Sequence, residues 1–161
     1  MDFHESLAKL TSQLLFKDWH KNSLDSFLAH AFMMLDEANK DIWQFGFYNP
    51  ESKKMVTFIV NKSVEQSSEQ DVLESGSPIQ KLPVEDIKIS VDEALKTAKD
   101  IMQKEFKKEA PIKEFFIIQK LEQTVFNITY FTQSFKTVNI KIDAKSGDVL
   151  SKNIQALMEF G

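Results

Sequence analysis

Alternation of apolar and polar residues over positions 124–142 constrains this chain more than any other feature. Phe126, Ile128 and Tyr130 alternate with Asn127 and Thr129, and Val138, Ile140 and Ile142 alternate with Asn139 and Lys141. A period of two places each apolar set on one side of a pleated strand. The segments TVFNITYFT and FKTVNIKID are therefore expected to be antiparallel strands with one dry face, and KEFFIIQKLE just before them a third. The run NIKIDAKSGDVL then reads as a strand, a tight turn and a returning strand. Gly147 suits the left-handed position of a three-residue turn with a bulge, which sends Val149 and Leu150 back along the sheet.

A helix is expected ahead of these strands, over 91–109. Ser90 and Glu93 have the S-x-x-E spacing of a capping box. Ala94, Leu95, Ala98, Ile101, Met102 and Phe106 share one helical face. Asp92 and Glu93 lie at the positive end of the helix dipole and Lys104, Lys107 and Lys108 at the negative end, with Pro111 closing the segment.

The first part of the chain repeats the theme. Phe3, Leu7, Leu10, Leu14 and Trp19 fit one helical stripe. Leu24, Phe27, Leu28, Ala31, Leu35 and Ala38 recur at spacings of three and four, which predicts a second helix capped by Asn22 or Ser23. Period two follows. Trp43, Phe45 and Phe47 lie on one strand face and Val56, Phe58 and Val60 on its return, joined through Asn49-Pro50-Glu51-Ser52, a turn sequence. Residues 63–85, rich in Ser, Gln and Glu, read as a linker or long loop. The expected organisation is thus 1–62 for N-terminal helices and a hairpin, 63–85 for the linker, and 86–161 for an α-β-β-β unit. The two halves suggest a diverged internal duplication, packed as tandem units or as one body. The fold class is α+β, with amphipathic helices on an antiparallel sheet.

The stretches ISVDEALKTA at 89–98 and IDAKSGDVL at 142–150 resemble the PepSY domain, in which a capped helix, three strands and a closing D-A-x-[ST]-G-[DE]-V follow in this order. The resemblance spans about residues 86–150. It implies a cystatin-like unit with a helix across an antiparallel sheet. It also implies an association with propeptides of secreted metallopeptidases and with cell-envelope proteins, in an inhibitory or chaperone-like role toward peptidases.

Composition removes several function classes. The net charge is −4, so the basic footprint of a general nucleic-acid binder is missing. All 20 basic residues are lysine, which rules out any site built on the arginine fork. There is no cysteine, hence no disulfide, thiolate nucleophile or cysteine-ligated metal. His4, His20 and His30 are too scattered for a zinc site, and His30 reads as a partly buried structural residue. No glycine-rich phosphate loop or nucleophile elbow is present among the 4 glycines. No cofactor is expected, nor a membrane span, and the acidic N-terminal sequence leads to an expected cytoplasmic location.

What remains is 14 phenylalanines and a handful of other aromatics. In FGFY, EFFII and TYFTQSF they fall on both strand parities, so some should face away from the helices. Trp43, Tyr48, Tyr130 and Phe131 are the candidates for a partner surface. The expected function is a non-enzymatic protein-interaction or regulatory module, through an open sheet face, an edge strand or self-association. The first alternative is a carrier of a small apolar ligand held between helices and sheet, and the second is an enzyme, for which no acid, base and nucleophile can be named in the sequence.

Overall fold

The computed structural model describes residues 2–72 and 76–157. Helices α1 (Phe3–Ser12) and α2 (Leu14–Lys21) lead into strands β1 (Phe27–Met34), β2 (Trp43–Asn49) and β3 (Lys54–Val60). Short strands β4 (Val64–Gln66) and β5 (Gln70–Asp71) follow. After a 3-10 turn at Val84–Asp86 comes α3 (Val91–Glu105), then β6 (Pro111–Lys120), β7 (Thr124–Thr132), β8 (Lys136–Asp143) and β9 (Val149–Ala156). All strands belong to one antiparallel sheet in the order β4-β3-β2-β1-β6-β7-β8-β9, with β5 also on β3. The fold is α+β, as the sequence leads one to expect.

Register explains where the core sits. Phe58, Phe45, Ala31, Ile118, Phe126 and Ile142 are cross-strand partners in succession, so they form one row across six strands. Every member of that row is fully buried. This is the helix-covered side: Phe3 of α1 meets Trp43 and Phe45, Phe16 of α2 meets Phe47 and Phe58, and Ala94, Ala98, Ile101 and Met102 of α3 join the same cluster. Burial of that contiguous apolar surface supplies the main stabilisation.

Local chemistry fixes the ends of elements. The Asp2 carboxylate accepts the Glu5 amide at 2.7 Å and the Ser90 hydroxyl accepts the Glu93 amide at 3.0 Å, which caps α1 and α3. Asn49 Oδ1 accepts the amides of Glu51 and Ser52, closing the β2–β3 turn. In the last turn Asp143 Oδ1 accepts from Lys145 and Ser146, while Gly147 adopts φ +83°. A register shift between Lys141 and Ile142 marks the expected bulge. The Ala144 carbonyl in that turn accepts the amides of Lys88 and Ile89, which ties the hairpin to the approach of α3.

Three expectations need correction. The predicted helix over 24–38 is strand β1. The run Phe27–Met34 is apolar on both parities, so helical spacings occur in it by default. Pairing with β2 on one side and β6 on the other makes it a central strand. The single N-terminal stripe is split at Gln13, whose backbone is extended at φ −78°, ψ 142°. Thr11 and Ser12 hydroxyls donate back to the Ala8 and Lys9 carbonyls just before the break. The new direction of α2 turns Phe16 onto the sheet and leaves Leu14 75% exposed. Within 63–85, β4 and β5 pair with β3, and Leu82 is 1% exposed in the core with its amide donating to the Leu28 carbonyl.

The two halves meet at the middle of the sheet. In each, helix precedes a run of antiparallel strands, and the first strands of the two runs, β1 and β6, pair with each other from His30↔Gln119 to Met34↔Phe115.

On the side away from the helices, His30 lies between Gly46 and Gln119 in the next row. Burial pushes the His30 imidazole below its ordinary value. The unfolded chain then binds more protons than the native one in the window beneath pH 6.5, so His30 favours folding above it and loses that contribution as pH falls through its folded pKa. Replacement His30→Phe keeps a flat ring without titration. Thermal midpoints recorded between neutral and mildly acidic pH are expected to fall less steeply for this variant; parallel curves would contradict the assignment.

Candidate functional site

The four candidate surface aromatics do not form a surface. Trp43 is 0% exposed and packs with Phe3, Phe45 and Phe116 on the helix side. Tyr130 shares that side with Phe126 and Ile128 and is 3% exposed. Tyr48 lies on the other parity, yet beside Phe27 it is only 2% exposed. Phe131 alone is half-buried, in a line with Phe115 and Phe32 away from the helices. Alternation assigns parity but not coverage, and parity already placed Trp43 and Tyr130 under helices. Part of that outer face in the second half is a polar ladder beside Ile117 and Val125. Asn127 donates to Gln119 at 3.0 Å, Asn139 to Asn127 at 2.6 Å, and Lys141 to Asn139 at 2.8 Å.

The histidines are scattered as well. His4 Nε2 lies 2.9 Å from the Ile87 carbonyl, and His20 stacks on Phe16. No group of three or more His, Cys, Asp or Glu that could hold a metal occurs among the described residues. No helix among them is long and apolar enough to cross a membrane.

A different site is built between α3 and the sheet. A groove of about 780 Å³ runs along α3, floored by Leu95, Met102, Phe106 and Pro111. That volume suits a small organic molecule. Two polar groups reach it from the strands: Glu114 of β6 and Tyr130 of β7, which are direct cross-strand partners. Glu114 has the parity of Phe116 and Ile118, a carboxylate among core positions. That was the signal in the sequence, and the strand assignment alone did not draw attention to it. Desolvation raises the Glu114 pKa, opposed by the Tyr130 hydroxyl and by Lys99. Burial first, then the neighbouring Glu114 charge, pushes the Tyr130 phenol above its ordinary value. The two side chains are close enough to shift one another, and the Tyr130 hydroxyl is enclosed by protein beside Glu114.

A second feature is the sheet edge at β9. Its far side has no strand neighbour among the described residues, and Val149, Leu150, Ile154 and Leu157 are each substantially exposed there. Lys152 anchors the strand to Glu105 of α3 by an ion pair.

Residues 88–153 match the family model described as PepSY, "Peptidase propeptide and YPEB domain". This stretch is a PepSY domain. It holds α3, β6 to β8 and most of β9, and therefore the whole groove. The PepSY match covers well under half of the chain. Among solved structures, the chain is similar to one described as a "putative lipoprotein" from Clostridium difficile 630, at 14% identity and a TM-score of 0.52. That likeness covers 88% of this chain and 90% of the other, so the shared fold extends from the PepSY domain into the N-terminal half. At this identity it shows the fold alone. No curated protein matches the sequence.

Proposed function

We propose that the chain is a non-enzymatic interaction module that binds an extended segment of a protein partner along β9. The observation that carries this reading is the unpaired outer edge of β9, eight residues long and rich in exposed aliphatic side chains. Such an edge adds a strand readily, with main-chain hydrogen bonds for affinity and alternate side chains for selection. The family description supports a peptidase as the class of partner.

The ladder supplies a test. The Leu157 amide donates to the Phe135 carbonyl. By antiparallel alternation Gln155, Asn153 and Ser151 also turn their amides toward β8, and Ala156, Ile154 and Lys152 turn theirs outward. Ile154→Pro then removes an outward donor and none of the β8–β9 bonds. A random-peptide display library selected on the immobilised chain is expected to yield extended sequences rich in β-branched residues. Their affinity for Ile154→Pro should fall about tenfold or more, the loss of one or two backbone hydrogen bonds, with the thermal midpoint nearly unchanged. Peptides that bind both forms alike, or a selection that enriches none, would remove β9 from the reading.

A second reading, a carrier of a small apolar ligand, is favoured by the groove beside α3.

A further inference from the structure

The edge at β9 can be read further, on the basis of the reading that it binds an extended protein segment. The two margins of the sheet are built differently. At one margin β4 and β5 are only 3 and 2 residues long, and short edge strands guard against edge-to-edge association. At the other, β9 runs for 8 residues without proline and without a further strand among the described residues. Charge is the other common guard of an edge. The single charge of β9, Lys152, is held by Glu105 of its own chain, which weakens that guard.

The edge also matches itself. Read in either direction from Asn153, the run VLSKNIQAL places a polar residue two steps away and aliphatic residues three and four steps away. A two-fold axis through Asn153 therefore sets Ser151 against Gln155, Leu150 against Ala156 and Val149 against Leu157 of the copy. Lys152 falls opposite Ile154, and the two Lys152 side chains take diagonal places, each tied to its own Glu105. An axis through Lys152 would set like charges face to face, which is unfavourable. An axis through Ile154 would set Leu157 against Ser151 and Ala156 against Lys152. Backbone parity agrees with the axis at Asn153. Lys152 and Ile154 turn their amides outward, so this pair exchanges hydrogen bonds with its copy. Asn153 meets its copy at a position without backbone bonds, where α-carbons approach to about 4.5 Å. There each side-chain amide can donate to the other and accept from it. Asn153 lies opposite Asn139, so this contact continues the amide ladder of the outer face.

We propose that the partner strand is β9 of a second copy of this chain. The two copies pair antiparallel about a two-fold axis at Asn153 and join their sheets into one.

Sedimentation velocity across concentration and cysteine trapping test this together. One pair of edge strands buries less than a standard interface, so a monomer–dimer equilibrium with a Kd of roughly 10–100 μM is expected. Ile154→Pro removes an outward donor from each copy and should raise that Kd about thirtyfold or more. The chain has no cysteine of its own, so introduced ones report the register. Asn153→Cys should give a disulfide-linked dimer with oxidised glutathione, because its α-carbons come within bridging range. Ser151→Cys stands four positions out of step with its own copy and should not link, whereas Ser151→Cys combined with Gln155→Cys should. A wild-type chain that stays monomeric at every concentration, yet still selects peptides that depend on Ile154, would overturn the second copy and leave β9 as a docking edge. A monomer that also selects no peptide would overturn both. A dimer indifferent to Ile154→Pro, or one linked as readily by Ser151→Cys as by Asn153→Cys, would overturn the pairing.

Discussion

Trp43→Ala is expected to destabilise the protein by about 3–5 kcal/mol, the range for removing a large buried aromatic side chain. Trp43 is fully buried where three parts of the fold converge. Phe3 of α1 meets it edge-on at 5.7 Å, Phe45 of its own strand stacks at 5.8 Å, and Phe116 of β6 meets it edge-on at 5.6 Å. The first two contacts belong to the N-terminal half and the third to the PepSY domain. The loss therefore falls on the joint between halves as well as on the core. Urea unfolding followed by far-ultraviolet dichroism would show a lower midpoint. An unchanged slope means that the halves still unfold together, and a shallower slope or a second transition means that they have come apart. A loss below about 1.5 kcal/mol would show that the cavity collapses, contrary to the packing described.

Gly46→Ala is expected to cost about 1–3 kcal/mol, as overpacking does, although it adds a single methyl group. A Cβ at position 46 would lie 2.6 Å from His30 Nε2, 2.9 Å from Nδ1, and nearer still to Cε1. The imidazole lies flat on the glycine backbone of the neighbouring strand, and the methyl group has nowhere to go unless the ring swings away. The double-mutant cycle isolates this cause. In a His30→Ala background the same change at 46 should be neutral or mildly stabilising, since alanine loses less backbone freedom than glycine on folding. A Gly46→Ala cost that persists undiminished without the His30 ring would refute the contact as its origin.

The sequence made some of this architecture plain and hid the rest for physical reasons. The β2–β3 hairpin, α3 and strands β7 and β8 were legible because polar or small residues such as Gln44, Thr57, Asn127 and Asn139 interrupt the apolar set at one fixed period, so period and face can be read together. Strand β1 has no wet side to break the pattern, and a run such as FLAHAFMM satisfies either period. Leu82 was invisible for another reason. A lone leucine in a polar segment carries no pattern, and its burial depends on a backbone hydrogen bond to Leu28, far away in sequence. The aromatics illustrate a third limit. Composition suggested a surplus for a surface, while Trp43, Tyr48 and Tyr130 are consumed by the interior. The groove left one trace, the carboxylate of Glu114 at a core parity, whose meaning depends on the stretch of α3 that passes over it.

The pairing of β1 with β6 bears on synthesis. A ribosome delivers β1, β2 and β3 first, and the hairpin between β2 and β3 can close at once because its strands are neighbours in sequence. The other edge of β1 waits. Its partner on that side lies some 89 positions later, at Gln119 opposite His30. Until β6 emerges, an eight-residue strand of sequence FLAHAFMM stands at an open sheet margin, with the unpaired backbone and apolar side chains on which nascent chains associate wrongly. In the polar stretch from 61 to 72, β4 and β5 pair with β3 at the opposite margin and not with β1. Slow translation between the two halves should thus favour aggregation, and a nascent-chain chaperone that shields β1 during that interval would raise the yield of folded protein.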